Sequence, residues 1–268
     1  MNVVISAGLV SDSGSVRTSN EDCGRIVQPG DAANLDRRGV LAVVADGMGG
    51  HSAGEIASRL AVETIHRAYF ASEEEPSVAL ASAVAAANAA IFARASADAD
   101  LHGMGTTCVA LVIRGDAAHA VSVGDSRIYL ARGGRIYQMT VDDSAVGDMV
   151  SRGLITRAEA KHHHDRNVIL KALGTHAAVD AGAWQRPFPV RPDDVFVLCS
   201  DGLTDLVDDD EILSNASSVA SAVDACRALV QLAKSRGGFD NITVAMLRVS
   251  LPDAAVVVPA TREVRVTS

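Results

Sequence analysis

The sequence predicts a layered α+β domain in which antiparallel strands carry helices on their outer side. Strand-length apolar runs recur along the 268-residue chain, and several are continuous rather than alternating, which is typical of strands buried on both faces. Two tight turns, Arg114-Gly115-Asp116 and Gly133-Gly134, predict hairpins, and a hairpin pairs its strands antiparallel.

The expected elements follow from the spacing of apolar residues. Strands are expected at Val3–Val10, Val40–Ala45, Cys108–Ile113, Ala117–Val123, Ile128–Ala131, Val195–Cys199 and Ile242–Val249. Helices are expected where apolar residues recur every three or four positions. These stripes are Ile56, Leu60 and Ile65, then Leu80, Val84, Ala87 and Ile91, and then Val219, Val223, Cys226, Val230 and Ala233.

No repeat and no Pro/Gly/Ser-rich linker divides the chain, so we expect one domain over residues 1–250. A polar, histidine-bearing insert is expected at about 141–174. Residues 251–268 are expected to form a C-terminal edge strand or a tail.

Composition excludes some functions. The net charge is −9 and aromatic residues make up only 3%, which argues against binding to nucleic acid or an anionic membrane surface. The four cysteines, at 23, 108, 199 and 226, form no C-x-x-C pair and lie beside apolar residues. We expect buried thiols in a reducing compartment rather than a zinc or redox site.

Nothing in the sequence indicates a membrane segment or a secretory leader. The N-terminus has no basic stretch followed by an apolar one, and the apolar window Val78–Ala93 is shorter than a membrane span and contains Ser82 and Asn88. The expected location is the cytoplasm.

The most informative pattern is the position of the aspartates. Three apolar runs lead into an aspartate next to a glycine, at Asp46, Asp125 and Asp201, and Asp240 precedes the run Ile242–Val249. In an antiparallel sheet the start of one strand lies beside the end of its neighbour, so one arrangement brings all four to one edge. A single Asp-Gly pair more often only ends a strand in a turn, but repetition favours a site.

Clustered carboxylates repel one another unless a cation neutralises them, and Glu21-Asp22 adds two more. Oxygen ligands suit Mg²⁺ or Mn²⁺ rather than zinc. A cluster of such ions suggests hydrolysis or transfer of a phosphoryl group.

Six motifs carry a family resemblance. They are SDSGSVRTSNED, VVADGMGGHSAGEIAS, GTTCVALVI, VSVGDSRIYL, LCSDGLTDLV and DNITV, spread from about Ser11 to Val244. Together they closely resemble the bacterial metal-dependent serine/threonine protein phosphatases of the PPM (PP2C-like) family.

The resemblance implies a four-layer α-β-β-α sandwich of two antiparallel sheets flanked by helices. It also implies hydrolysis of phosphoserine and phosphothreonine on proteins by direct attack of a metal-bridged water, without a phosphoenzyme. Two catalytic Mn²⁺ or Mg²⁺ ions, and a third, weaker ion, are expected. The expected partners are phosphoprotein substrates and a Hanks-type kinase that the enzyme opposes.

The resemblance also assigns roles residue by residue. Asp46 would bridge two ions, and Gly47 would offer its carbonyl to one of them. Asp201 and Asp240 would complete the shell of one ion. Glu21 and Asp22 would serve the second ion through ordered waters. Asp125 and Asp201 match the additional site, with Asp205 as a further candidate. Arg17 matches the arginine that holds the substrate phosphate.

The sequence departs from the family pattern at two histidines. Met48 stands where many eukaryotic relatives carry a histidine after Asp-Gly, and His51 is expected to brace a loop rather than to donate a proton. Asp143 replaces the histidine of a T-x-D-H-S motif. The insert resembles the family's mobile flap, and His162–His164 are expected on its solvated surface, because three consecutive histidines cannot face one ion from a helix.

Three alternatives remain open. A pseudo-phosphatase would be expected to lack one of the metal carboxylates, and all are present. An Asp-nucleophile phosphohydrolase needs Asp-x-Asp, whereas Met48 follows Asp46 at that spacing. A phosphatase dedicated to one regulator would usually carry sensor domains or membrane segments.

Overall fold

The computed structural model describes residues 3–49 and 53–252 and the backbone of 262–266. The strands are β1 (Val4–Asp12), β2 (Asp22–Gln28), β3 (Val40–Met48), β4 (Gly105–Thr106), β5 (Cys108–Arg114), β6 (Ala117–Val123), β7 (Arg127–Arg132), β8 (Arg135–Gln138), β9 (Gly182–Ala183), β10 (Phe188–Pro189), β11 (Val195–Cys199), β12 (Ile242–Ser250) and β13 (Arg262–Val266). The helices are α1 (Ala32–Arg38), α2 (Ala53–Ala71), α3 (Pro76–Ala97), α4 (Ala145–Ser151), α5 (Arg157–Ala160), α6 (Asp201–Thr204), α7 (Asp209–Ser218) and α8 (Ala222–Ser235).

The strands form two antiparallel sheets. Sheet I has the order β1-β12-β11-β7-β8, and sheet II has the order β10-β6-β5-β3-β2-β13, with β4 paired to β3 and β9 to β6. The predicted hairpins β5–β6 and β7–β8 are both present. In the second, Gly133 and Gly134 have φ of 58° and 72°, as a two-residue turn with the strand twist requires.

Three apolar cores define four layers. The central core lies between the sheets and takes alternate residues from each strand, such as Val44 of β3 and Leu198 of β11. The opposite faces of the same strands pack on helices: Val43 on the α2–α3 side, and Val197 on the α7–α8 side. Because these strands are buried on both faces, their sequences are continuously apolar. The predicted α+β class with two antiparallel sheets is confirmed.

Helix α3 begins at Pro76, which suits the first helical turn because proline lacks an N–H group. By length and composition α3 could cross a bilayer, a test that core helices of soluble proteins also pass. Leu80, Val84 and Ile91 on this helix are buried against α2 and sheet II. This packing agrees with the expected helix of a folded domain.

Some expectations need correction. Asp46 lies within β3 rather than after it, and Val219 ends α7 instead of beginning α8.

The four cysteines are free and buried, as expected. Strand β13 lies at the edge of sheet II, beside β2. The division of the chain at residue 250 stays a prediction.

Candidate metal centre and active site

The candidate site lies at one end of the central core. Asp22 of β2 and Asp46 of β3 are directly opposite each other in the strand register. Val44 and Ile26 point into the core between the sheets. Side chains alternate along a strand, so Asp46, two residues after Val44, and Asp22, four residues before Ile26, lie on the same faces as these core residues. The alternation that builds the apolar core therefore ends in two carboxylates.

Sheet I and a loop of sheet II bring the other carboxylates to the same place. Asp201 is the first residue of α6, directly after β11, and Asp240 precedes β12, the neighbour of β11. Asp125 follows β6 in sheet II. The charges of Asp22, Asp201 and Asp125 all act on Asp46. The predicted set thus comes together, divided between two sheets rather than along one edge.

Burial and mutual repulsion both oppose ionisation of this cluster. Burial, followed by neighbouring carboxylates, raises the pKa of Asp201 to about 6, that of Asp22 to about 7 and that of Asp125 to about 8. The same causes raise the pKa of Asp46 well above its ordinary value. Without a cation, the close packing of these groups favours their protonated, neutral forms.

Three of these carboxylates also carry a buried oxygen that has no hydrogen-bond partner: Oδ1 of Asp22, of Asp125 and of Asp201. A buried polar atom without a partner is costly, so such an atom in a native protein calls for a ligand. Oxygen-only donors with several negative charges fit a hard divalent cation such as Mg²⁺ or Mn²⁺. The residues present therefore fit the expected metal ions.

Asp46 is held in place by hydrogen bonds to its backbone. Its N–H donates to Thr107 Oγ1 over 3.0 Å, and its carbonyl accepts from Thr106 Oγ1 over 2.8 Å. Thr106 also exchanges backbone hydrogen bonds with Leu173, at the end of the flap segment (residues 141–174). Thr106 of β4 and the adjacent Thr107 thus fix the position of Asp46, and β4 also contacts the flap segment.

Gly47 permits a close approach between β3 and the start of α2. A Cβ atom at this position would lie 2.1 Å from the carbonyl oxygen of Gly54, and one at Gly54 would lie 2.2 Å from Glu21 Oε2. The N–H of Gly47 donates to the carbonyl of Glu21 over 3.1 Å, and Ser58 Oγ donates to the same carbonyl over 2.6 Å. Glu21 is therefore held against α2, beside the cluster.

Uncharged residues connect the two sheets at this end, and the sequence alone assigned them no role. Ser200 Oγ donates to Asp22 Oδ2 over 2.8 Å and accepts from the N–H of Thr243 over 3.0 Å. Asn241 Oδ1 accepts from the N–H of Glu21 over 2.7 Å. Their signal was their position beside Asp201 and Asp240 in LCSDGLTDLV and DNITV, but serine, threonine and asparagine beside a site are too common to single out.

Arg17 lies at the rim and contacts a predicted metal ligand. Its Nη2 is 2.9 Å from Asp240 Oδ2, and 54% of its side chain is exposed. The hydrogen bond and charge of Asp240 raise the pKa of Arg17, with smaller contributions from Glu21 and Asp46. A planar guanidinium that faces both solvent and the carboxylates is well placed to hold a phosphate.

A groove of about 790 Å³ extends from the cluster under the flap segment. Its lining includes Asp125, Asp201 and Asp205 as well as Val146 and Arg166 of the flap segment. The flap segment contains the short helices α4 and α5, and an ion pair joins Lys161 to Asp208 at the start of α7.

The departure at Asp143 has a structural consequence. Asp143 Oδ2 accepts from the N–H of Gly124 over 3.3 Å, and Lys171 Nζ lies 3.3 Å from its Oδ1. Asp143 therefore links the turn before Asp125 to the flap segment. The neighbouring Asp142 pairs with Arg127, with 2.7 Å between Nη2 and Oδ2.

The histidines of the flap segment lie in turns rather than in a helix. His163 and His164 stack, and His164 Nε2 is 3.0 Å from Asp165 Oδ2, so these three side chains lie close enough to share an ion. His162 and His164 are exposed, as expected of a solvated surface, whereas His163 is half-buried. His51 lies outside the described residues.

Comparison with known proteins gives one family. The model of the protein phosphatase 2C family matches residues 22–235. The serine/threonine protein phosphatase PstP of Mycobacterium tuberculosis is 39% identical over 238 residues, which cover 87% of this chain but 43% of PstP. This chain thus spans less than half the length of that relative.

Two further matches cover nearly the whole of the matched chain. The serine/threonine phosphatase stp of Listeria welshimeri is 35% identical over 246 residues, covering 90% of this chain and 94% of stp. A crystal structure of the PstP catalytic domain in complex with 2 manganese ions is 36% identical, has a TM-score of 0.80, and is matched over 93% of this chain and 100% of that one. With the carboxylate cluster, the two sheets and the family match in agreement, the chain belongs to the protein phosphatase 2C family.

Proposed function

We propose that this protein is a metal-dependent serine/threonine protein phosphatase that hydrolyses phosphoserine and phosphothreonine on proteins. The observation that carries the proposal is the carboxylate cluster around Asp46, in which buried oxygens of Asp22, Asp125 and Asp201 have no partner and need a cation, beside the exposed guanidinium of Arg17. The names of the relatives and the manganese in the PstP structure support the same activity.

In this proposal Asp46 would serve both ions, Asp201 and Asp240 would complete the shell of one, and Gly47 would offer its carbonyl to one of the two. Asp22 and Glu21 serve the other. The buried contact between Asp22 and Ser200 supports a fixed position for Asp22, and the hydrogen bonds to Asp46 support a fixed bridging carboxylate. When bound, Mn²⁺ or Mg²⁺ would supply an activated water for direct attack on phosphorus and would offset the charge of the phosphate.

The protein's own residues orient the substrate. Arg17 would bind the phosphate oxygens as a planar donor, and Asp240, its ion-pair partner, would keep the guanidinium at the rim of the cluster. Asp125 and Asp201 would hold a third, weaker ion at the mouth of the groove, with Asp205 nearby. This arrangement leaves Met48 without a role in proton transfer.

The wider setting is also part of the proposal. Phosphoproteins are the substrates, a Hanks-type kinase opposes the enzyme, and the cytoplasm is the location. The presence of all the carboxylates supports an active enzyme over a pseudo-phosphatase.

Hydrolysis of a phosphothreonine peptide tests the proposal. We expect turnover with Mn²⁺, loss of turnover on chelation, and recovery when excess Mn²⁺ is added back. Asp46→Asn should lose nearly all kcat because it removes the charge between two ions. Full turnover by exhaustively chelated protein, or by Asp46→Asn, would contradict the two-ion assignment.

A further inference from the structure

Two exposed apolar side chains stand at the rim of the candidate site. Val16 is 61% exposed and Phe239 is 63% exposed, although both are large and hydrophobic. Each is the immediate sequence neighbour of a site residue: Val16 precedes Arg17, and Phe239 precedes Asp240. Neither side chain belongs to the apolar cores of the fold.

Contacts on both sides place these two residues on adjoining segments. The N–H of Ser15 donates to the carbonyl of Gly238 over 2.7 Å, and Arg17 pairs with Asp240 over 2.9 Å. Val16 and Phe239 lie between these two contacts, one on each segment. The two segments therefore lie side by side, and each of these residues adjoins one member of the Arg17–Asp240 pair in sequence.

The Phe239 ring lies against the backbone of its own segment. It lies over Gly237, where a Cβ atom would be 2.4 Å from Cζ of the ring. Nearby cations are occupied: Lys234 pairs with Asp12 and Arg236 pairs with Glu211. Among the described residues, the ring thus adds an apolar contact beside the Arg17–Asp240 pair.

We propose that Val16 and Phe239 form a subsite for an apolar side chain of the phosphoprotein, on the residue next to the phosphorylated serine or threonine. The inference rests on the proposed function, because Arg17 must hold the phosphate for the substrate backbone to pass over this rim. Consecutive Cα atoms are about 3.8 Å apart, so the neighbouring residue lies within reach of the two side chains. Covering them with an apolar side chain removes hydrophobic surface from water, whereas a charged neighbour would lose hydration without gaining a partner.

The test compares phosphothreonine peptides that differ only at the residue before or after phosphothreonine, with leucine or aspartate at that position. Wild type, Phe239→Ser and Val16→Ser are assayed with saturating Mn²⁺. Val78→Ser is the matched control, since Val78 is 51% exposed on α3, outside the site. The small substrate p-nitrophenyl phosphate, which has no neighbouring residue, reports folding and metal loading.

Wild type is expected to prefer the leucine peptide by roughly 10-fold in kcat/KM, as the contact of one apolar group with a pocket allows. Phe239→Ser and Val16→Ser should reduce that preference through KM, while Val78→Ser and the small substrate remain unaffected. Equal use of both peptides by wild type, or an equal loss on every substrate in the rim variants, would overturn the subsite. Absence of hydrolysis of every substrate by wild type would instead count against the proposed function.

Discussion

Arg17 and Asp240, which are separated by 223 positions in sequence, form an ion pair with 2.9 Å between Nη2 and Oδ2. The residue predicted to bind phosphate thus touches a residue predicted to bind metal. If a cation took the charge of Asp240, the guanidinium would lose part of its partner's attraction and would be freer to bind another anion. The ion pair therefore links the two halves of the proposed site.

Arg17→Ala is expected to lower kcat/KM on a phosphopeptide about 10- to 150-fold, because a hydrogen bond to a charged group contributes about 1.5–3 kcal/mol. Arg17→Lys keeps the charge but not the planar fork, so its kcat/KM should lie between those of wild type and Arg17→Ala. Steady-state kinetics with saturating Mn²⁺ measure the effect. An unchanged kcat/KM for Arg17→Ala would remove Arg17 from the proposed phosphate site.

Asp125→Ala tests the third ion. Asp125 is buried, and its Oδ1 has no partner, whereas the nearby Arg127 forms its ion pair with Asp142. We expect the variant to fold, keep two tightly bound ions and turn over phosphopeptide far more slowly. Calorimetric metal titration alongside kinetics measures both properties. An unchanged number of bound ions with near-normal kcat would leave Asp125 with a structural role only.

Metal affinity should increase as the pH rises from about 6 to about 8. Burial raises the pKa of Asp201 to about 6, that of Asp22 to about 7 and that of Asp125 to about 8, so below these values a cation must displace protons. As the pH passes each of these values, that carboxylate is already ionised without metal and its proton no longer competes. Mn²⁺ titrations at pH 6, 7 and 8, in two buffers of different ionisation enthalpy, measure affinity and proton release. A pH-independent affinity without proton release would contradict this picture.

A stability prediction concerns the far end of sheet I. Asp194 is 1% exposed and receives two hydrogen bonds from Arg132, of 2.7 and 2.6 Å. Asp194→Asn should lower the free energy of unfolding by about 2–4 kcal/mol, since it leaves a partly buried cation without its counter-charge.

Asp224→Asn is the control for this prediction. Asp224 pairs with Arg227 at the surface, where 55% of its side chain is exposed, so the loss should stay below about 1 kcal/mol. Urea unfolding, with metal removed from all samples, compares the variants. Equal losses would show that burial of the pair does not matter.

Sequence patterns predicted the strands that are buried on both faces, because a short, continuous apolar run bounded by turn residues is typical of such strands. They did not predict β2, since DCGRIVQ mixes polar and apolar residues and buries Arg25. They also missed α7, whose sequence DDEILSNASS buries only Ile212 and Ala216. In both cases the surrounding structure, rather than the local pattern, determines the element.

The candidate site divides in the same way. Asp46, Asp125, Asp201 and Asp240 could be found because a carboxylate beside a glycine or a strand is conspicuous when it recurs. The contact of Ser200 with Asp22 spans 178 positions, and a hydroxyl gives no sequence signal of its own. The arrangement of such partners depends on how two sheets meet, which no local spacing records.

Thr106 contacts the carbonyl of Asp46 with its hydroxyl and Leu173 with its backbone, so one residue joins the proposed bridging carboxylate to the end of the flap segment. Two sites that share a rigid connection can influence each other's free energy, and thermodynamic linkage makes that influence mutual. A substrate that repositions the flap segment through Leu173 would change the affinity of Asp46 for its ions, and ion binding would bias the flap segment by the same factor. Substrate recognition and cofactor loading would then form one cooperative equilibrium, in which a phosphoprotein tightens or loosens the enzyme's hold on its own metals.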